Sequence, residues 1–269
     1  MQTIINRLLR PAFFILVFVL IAGCPRTEKT KLIVAGSNSV QPFAELLAER
    51  YMNEHPGMEI NVQGGGSTAG IHAVQNHICD IGMSSRPLTK EEQYLNQWTI
   101  ALDGIVVIVH KQNPVKDLTV EQLRAVFTGK IRNWQELGGE NKKITVITRE
   151  EGSGTRGYFE EIVMSGAPFA RDALVQDANG TIREIVAGNP AAIGYISFGL
   201  VDERVKLLSI NGITPSESTI TSHTYPIARK FLFLTNGEPG ELARSFLDFV
   251  LGPNGQKTLV DEGLIKATP

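Results

Sequence analysis

From Lys31 onward, short apolar runs alternate with amphipathic segments, and this rhythm restricts the chain to folds in which buried strands are covered by helices. Residues 31–36 (KLIVAG) and 58–62 (MEINV) flank a helix-like stretch at 41–53, where Phe43, Leu46, Leu47 and Tyr51 fall on one face. Pro42 suits its first turn. The continuous apolar runs 105–109, 144–147, 193–196, 205–208 and 231–234 read as strands buried on both faces, which belong to parallel or mixed sheets. A second amphipathic helix, with Leu242, Phe246, Phe249 and Val250 on one side, follows the strand-like ARKFLFLT. The polar stretches 111–116 and 212–225 are the predicted places for the chain to cross between lobes.

A length of 269 residues, 42% hydrophobic and 20% charged, fits one large globular domain or two modest ones. Lys plus Arg total 26 against 28 for Asp plus Glu, which excludes the basic excess of a nucleic-acid binder. The two cysteines, Cys24 and Cys79, exclude a disulfide-rich scaffold and leave no spacing suited to a structural zinc site. Cys79 lies between Ile78 and Asp80 in an apolar stretch and is expected to be buried and inert. At the N-terminus, Arg7 and Arg10 precede an apolar run, 11–22, of signal-peptide size. The run ends Ile21-Ala22-Gly23-Cys24 and resembles the lipobox of bacterial lipoproteins. That resemblance implies a signal peptide over 1–23, a lipidated tether over 24–30, and a diacylglyceryl group on the Cys24 thiol. Cleavage would remove two arginines and no acid, so the mature chain is more acidic than the precursor's formal −2.

Clusters of Gly, Ser and Thr recur where strand-like runs end and helical ones begin: Gly36-Ser37-Asn38-Ser39-Val40, then Gly64-Gly65-Gly66-Ser67-Thr68-Ala69-Gly70, then Gly152-Ser153-Gly154-Thr155. Each exposes backbone N–H groups and hydroxyls at the positive end of a helix, an arrangement that favours anions. Arg149 stands four residues before Ser153 and offers a fixed cationic fork to an oxyanion, with Glu151 placed to brace it. A fourth cluster, Gly82-Met83-Ser84-Ser85-Arg86-Pro87, adds two hydroxyls and a second arginine.

Competing motifs fit less well. Residues 152–157 satisfy GxGxxG, with Asp172 about 20 residues beyond the first glycine, but Asp172 lies in PFARDALV rather than at a strand end. The triple-glycine loop lacks the Gly-Lys-Ser/Thr ending of a P-loop. Gly65-Gly66-Ser67-Thr68-Ala69 approaches a nucleophile elbow but ends in alanine, and none of His55, His72, His77, His110 or His223 stands in a motif that marks a base.

Taken in order, AGSNSVQPFAELLAERY, GGGSTAGI, DIGMSSRPL, VFTGKIRNWQELGG, REEGSGTR and AIGYISFG resemble the phosphate-binding substrate-binding proteins of ABC phosphate importers, over nearly the whole mature chain. The resemblance implies an α/β, periplasmic-binding-protein-like fold of type II, with two lobes of mixed sheet joined by a hinge. Lobe one would take residues 30–110 and 227–269, and lobe two 111–226. It further implies that Ser39, the N–H of Val40, Ser67, Arg149, Ser153, Gly154 and Thr155 bind phosphate, with Glu151 bracing Arg149. Some members carry an aspartate at the position of Ser85, where it accepts a proton from phosphate. Here that position is Ser85, followed by Arg86; both are expected to bind phosphate, and Asp80 is a candidate substitute acid.

The implied protein is not an enzyme and takes no cofactor or metal. It is an exported monomer, lipid-anchored in the periplasm or at the outer face of the cell membrane, passing inorganic phosphate to the permease and ATPase subunits of an importer. The alternatives are a receptor for sulfate, molybdate or tungstate, a surface sensor, and an exported serine hydrolase or phosphatase using Ser67 or Ser153.

Overall fold

The computed structural model describes residues 30–267, so the expected signal peptide, the expected lipobox and Cys24 lie outside the described residues. In chain order the elements are β1 (Thr30–Gly36), α1 (Gln41–Glu54), β2 (Met58–Gln63), α2 (Ser67–Gln75), β3 (Ile81–Ser84), β4 (Asn96–His110), β5 (Asp117–Leu118) and α3 (Val120–Phe127). Next come β6 (Thr145–Arg149), α4 (Gly154–Phe159), β7 (Leu174–Gln176), α5 (Asn179–Gly188), β8 (Ala192–Ser197), β9 (Val205–Leu207), β10 (Ser209–Ile210) and α6 (Glu217–Thr221). The chain closes with β11 (Ala228–Thr235), α7 (Glu241–Leu251), α8 (Pro253–Asp261) and β12 (Ile265–Lys266). Among the described residues no helix is long and apolar enough to cross a membrane.

The main sheet runs β2-β1-β3-β11-β4-β8-β6-β7, with β9 and β12 also paired to β4, while β5 and β10 form a separate pair. β1 is parallel to β2 and β3, β11 is antiparallel to β3 and β4, and β6 is parallel to β7 and β8. This is the mixed sheet that the apolar runs predict.

β4 belongs to both halves of the molecule. Residues 96–104 pair with β11, whereas 105–110 pair with β8 and β9. The two larger apolar cores follow the same division. One gathers Leu32, Val34, Phe43, Leu47, Phe231 and Phe246; the other gathers Ile105, Val107, Leu123, Phe127, Phe159, Ile182 and Tyr195. The chain therefore passes between halves at Gly104–Ile105 and returns beside Ile227, whose carbonyl accepts the Ile105 N–H at 2.9 Å. A lobe-one boundary at residue 110 is corrected accordingly, and 111–116 is no crossing, because 105–109 already pack in the second core. The returning crossing falls just after 212–225. A run buried on both faces looks the same whichever sheet it enters, so sequence periodicity does not reveal where a strand changes partners.

Helix α1 buries Phe43, Ala44, Leu47, Ala48 and Tyr51 and leaves Leu46 half-buried. Each large apolar side chain on that face contributes about 1.5–3 kcal/mol on burial. All three small-residue loops open helices as predicted, with Val40, Gly66 and Ser153 as the N-caps of α1, α2 and α4. Helix α4 then continues as a wider π-helical turn, Glu160–Met164.

Candidate functional site

The ends of β1, β2, β3 and β6 deliver their loops to the junction of the two halves, where polar side chains are buried together. Ser39, Ser67, Ser85, Thr155 and Arg149 each expose 1% or less of their surface. Across the junction, Ser39 Oγ and Thr155 Oγ1 lie 2.8 Å apart. Within the first half, Ser37 Oγ donates to Ser85 Oγ at 2.8 Å, the Ser85 N–H donates to Ser67 Oγ at 3.0 Å, and the Ser67 and Ser85 hydroxyls lie 3.3 Å apart. Gly154 is required where these meet: a Cβ there would fall on Ser67 Oγ and stand 2.7 Å from Ser85 Oγ. Its first-turn N–H, like that of Thr155, has no intrahelical acceptor.

Arg149 enters from the end of β6. Its Nε and Nη2 donate to Glu150 Oε2 and Oε1 at 2.8 and 2.9 Å, Nη2 also donates to the Asp177 carbonyl at 2.8 Å, and Nη1 reaches Ser39 Oγ at 3.5 Å. The strand end is fixed from behind by Tyr195, whose hydroxyl bonds Thr148 at 2.7 Å and whose ring stacks on Phe159 at 4.0 Å. Burial raises the Tyr195 pKa to about 12, so the phenol stays neutral.

A second arginine, which the sequence reading missed, lies beneath the cluster. Arg229 faces Asp103 in register across β11 and β4, the two crossing strands, and neither side chain is exposed. Arg229 Nε donates to Asp103 Oδ2 at 2.9 Å, and Nη1 donates to Thr155 Oγ1 at 2.8 Å and to the Ser85 carbonyl at 3.1 Å. Nη2 lies 2.8 Å from Asp103 Oδ2 and completes the ion pair. Burial lowers the Arg229 pKa, with Asp103 opposing the shift. Asp103 Oδ1 in turn accepts from Ser197 Oγ at 2.8 Å and the Phe198 N–H at 3.1 Å. Asn179 completes the surround, donating to Ser39 Oγ at 3.0 Å. The signal for Arg229 and Asp103 was present in the sequence as a charge inside each of two buried runs, ARKFLFLT and ALDGIVVIV.

Several expected contributors sit elsewhere. Glu151 is exposed, and Glu150 braces Arg149 instead, because the chain turns away only at residues 151–152. Arg86 leaves the cluster: both its terminal nitrogens are held by Glu92 at 2.8 and 2.9 Å, beside a cavity of about 360 Å³ lined also by Thr68, Ser153, Arg156 and Glu160. The Arg86 hydrogen bond is the leading reason that the Glu92 carboxyl lies below the usual range. Asp80 is at the far end of β3, where its Oδ2 accepts from the Ile33 N–H at 2.7 Å, so it cannot stand in for an acid at Ser85. The Val40 N–H is committed to the Ser37 carbonyl at 3.0 Å. Ser153 caps α4 by accepting from the Arg156 N–H at 3.3 Å. Cys79 is buried, and burial, with Asp80 adding, pushes its thiol up to about 11.

Among the described residues no group of three His, Cys, Asp or Glu could hold a metal ion. What remains is a closed set of hydroxyl, amide and guanidinium donors between two half-molecules. Residues 25–254 match the family model of a PBP superfamily domain. The chain belongs to that superfamily. Among PBP relatives, it is 37% identical over 243 residues to the phosphate-binding protein PstS of Bacillus subtilis, covering 88% of this chain and 81% of that one. A phosphate ABC transporter substrate-binding protein from Clostridium perfringens, solved with bound phosphate, superposes with a TM-score of 0.84 at 40% identity, covering 89% of this chain and all of the other. An ABC-type phosphate transport receptor from Vibrio cholerae gives 0.77 at 37% identity, covering 88% and 100%. The α/β periplasmic-binding-protein-like fold and the resemblance to phosphate receptors both hold.

Proposed function

We propose that this chain binds inorganic phosphate as a dehydrated oxyanion inside the buried cluster and passes it to an ABC permease. The observation that carries this reading is the convergence of Arg149, Arg229 and the Ser39, Ser67, Ser85 and Thr155 hydroxyls on one enclosed spot between the halves. Each arginine already has its own carboxylate, so the ligand's charge is compensated by many oriented dipoles rather than by a net cation. The first turn of α4, with the N–H groups of Gly154 and Thr155 and the hydroxyl of Ser153, adds donors at a helix start. Arg86 and Glu151 are left out of the binding set, and Glu150 takes the bracing role.

Capture and release follow from a hinge at the two crossing strands, without turnover. A serine hydrolase would need a base on Ser67 or Ser153. Among the described residues, the side-chain partner of Ser67 is Ser85, and that of Ser153 is a backbone N–H. The chain is read as an exported monomer held to the membrane by lipid on Cys24, on the strength of the lipobox, with permease and ATPase subunits as partners.

One observation favours a second reading, a receptor for another tetrahedral oxyanion such as sulfate. Both Asp103 oxygens are occupied by protein donors, and among the described residues no carboxylate bonds a hydroxyl of the cluster to take a ligand's proton. Isothermal titration of residues 25–269, stripped of ligand by partial unfolding and refolding, separates the two. Phosphate should bind one-to-one at sub-micromolar concentration at pH 7, resist excess sulfate, and fail to bind the Arg149→Ala variant. Equal or tighter sulfate binding overturns the phosphate reading.

A further inference from the structure

One half-buried side chain at the rim of the cluster touches three loops and both halves of the sheet. Asn38 Oδ1 accepts from the N–H groups of Gly65 at 2.7 Å and Gly66 at 3.3 Å, both in its own half. Its Nδ2 donates across the junction to the Asp177 carbonyl at 2.8 Å and to Glu150 Oε1 at 3.4 Å. Those two acceptors are the ones that hold Arg149 Nη2. The glycine loop is folded tightly against the same amide, since a Cβ on Gly64 would stand 2.6 Å from Asn38 Oδ1.

We infer that Asn38 is a positioning residue that fastens the closed cleft, one end of its amide fixing the loop that carries Ser67 and the other fixing the anchors of Arg149. The inference rests on the reading that closure encloses an anion here. A bond between halves exists only in the closed state, so it stabilises that state whatever fills the cluster. Of the other side-chain bonds across the junction, those of Ser39 with Thr155, Asn179 and Arg149 and that of Arg229 with Thr155 run through hydroxyls of the cluster itself, while Ser197 to Asp103 and Tyr158 to the Ala228 carbonyl lie on the crossing strands. A ligand entering the cluster competes for those hydroxyls. Asn38 stands outside that competition and keeps its cross-junction bonds in the filled state. Only a neutral amide serves both ends, because the oxygen must accept from Gly65 and Gly66 while the nitrogen donates to a carbonyl and a carboxylate.

Asn38→Asp tests this directly: it keeps the acceptor that organises the glycine loop, removes both donors, and sets a carboxylate beside Glu150 and the Asp177 carbonyl. Asn38→Ser, too short to span the junction, is the second variant. Stopped-flow binding of inorganic phosphate to the mature chain at pH 7 should show association within twofold of wild type and dissociation at least tenfold faster in both variants. Arrangement of the site alone would instead slow association and lower affinity together. Dissociation within twofold of wild type, or a loss confined to association, overturns the inference. Should wild type bind no phosphate, the phosphate reading fails separately. Small-angle scattering of the ligand-free chains then still decides the latch: a larger radius of gyration in Asn38→Asp supports it, and identical radii overturn it.

Discussion

Each cluster arginine is matched by a carboxylate, but the two pairs differ in setting. Glu150 is partly exposed and its pair with Arg149 touches solvent, whereas Arg229 and Asp103 are wholly enclosed on the crossing strands. Removing one partner of such an enclosed pair leaves an uncompensated charge and costs about 3–5 kcal/mol, while replacing both with apolar groups is far milder. Arg229→Met is therefore expected to lower the denaturation midpoint sharply in urea. Adding Asp103→Leu should recover only part of the loss, because Ser197 Oγ and the Phe198 N–H then lose their acceptor, and should not restore phosphate binding, which titration calorimetry checks. Arg86 gives the opposite expectation. Its guanidinium is spent on Glu92 and the Pro87 carbonyl, so Arg86→Ala should change phosphate affinity less than threefold in the same titration. Residue types at the loops were readable, and Arg149, Ser39, Ser67, Ser85 and Thr155 do meet. Partner choice was not: whether Glu150 or Glu151 braces Arg149 depends on where the chain turns after β6.

Helix starts do much of the positioning. Helices α1 and α2 begin without a side-chain cap, and α1 is set instead by the Ser37 carbonyl, which accepts from Val40 and Gln41 at 3.0 and 2.9 Å. At α2 the Gly66 backbone, with φ of +91°, lies against the Gly152 carbonyl from the other half, and the Thr68 N–H donates to that same carbonyl at 3.1 Å. Helix α4 begins so close to Ser67 that only glycine fits at residue 154. Gly154→Ala is expected to weaken phosphate binding about a hundredfold, roughly 2.7 kcal/mol. Gly157→Ala, whose Cβ would meet only Arg86 Cδ at an ordinary 3.6 Å, should leave affinity unchanged and add up to about 1 kcal/mol of stability. Equal affinities for the two variants would remove the packing argument. The small-residue loops announced these starts in sequence because Gly, Ser and Thr have little other use between a strand and a helix.

At the scale of the whole molecule, the two larger apolar cores are joined by two crossing strands, with the polar cluster between them. The bonds that span the junction from Asn38, Ser39, Thr68, Asn179 and Arg229 join residues far apart in the chain. The sequence by itself determined the α/β class, the helix and strand runs, the loops that bear donors, and the first arginine. These are local properties, set by hydrophobic period and by the backbone preferences of small residues. Only the tertiary structure decided where β4 changes partners, that Asp103 and Arg229 pair across the hinge, that Arg86 turns to Glu92, and that Asn38 bridges the halves. Those outcomes depend on the register and burial of residues distant in sequence, and a pattern that repeats within a few residues carries no record of them.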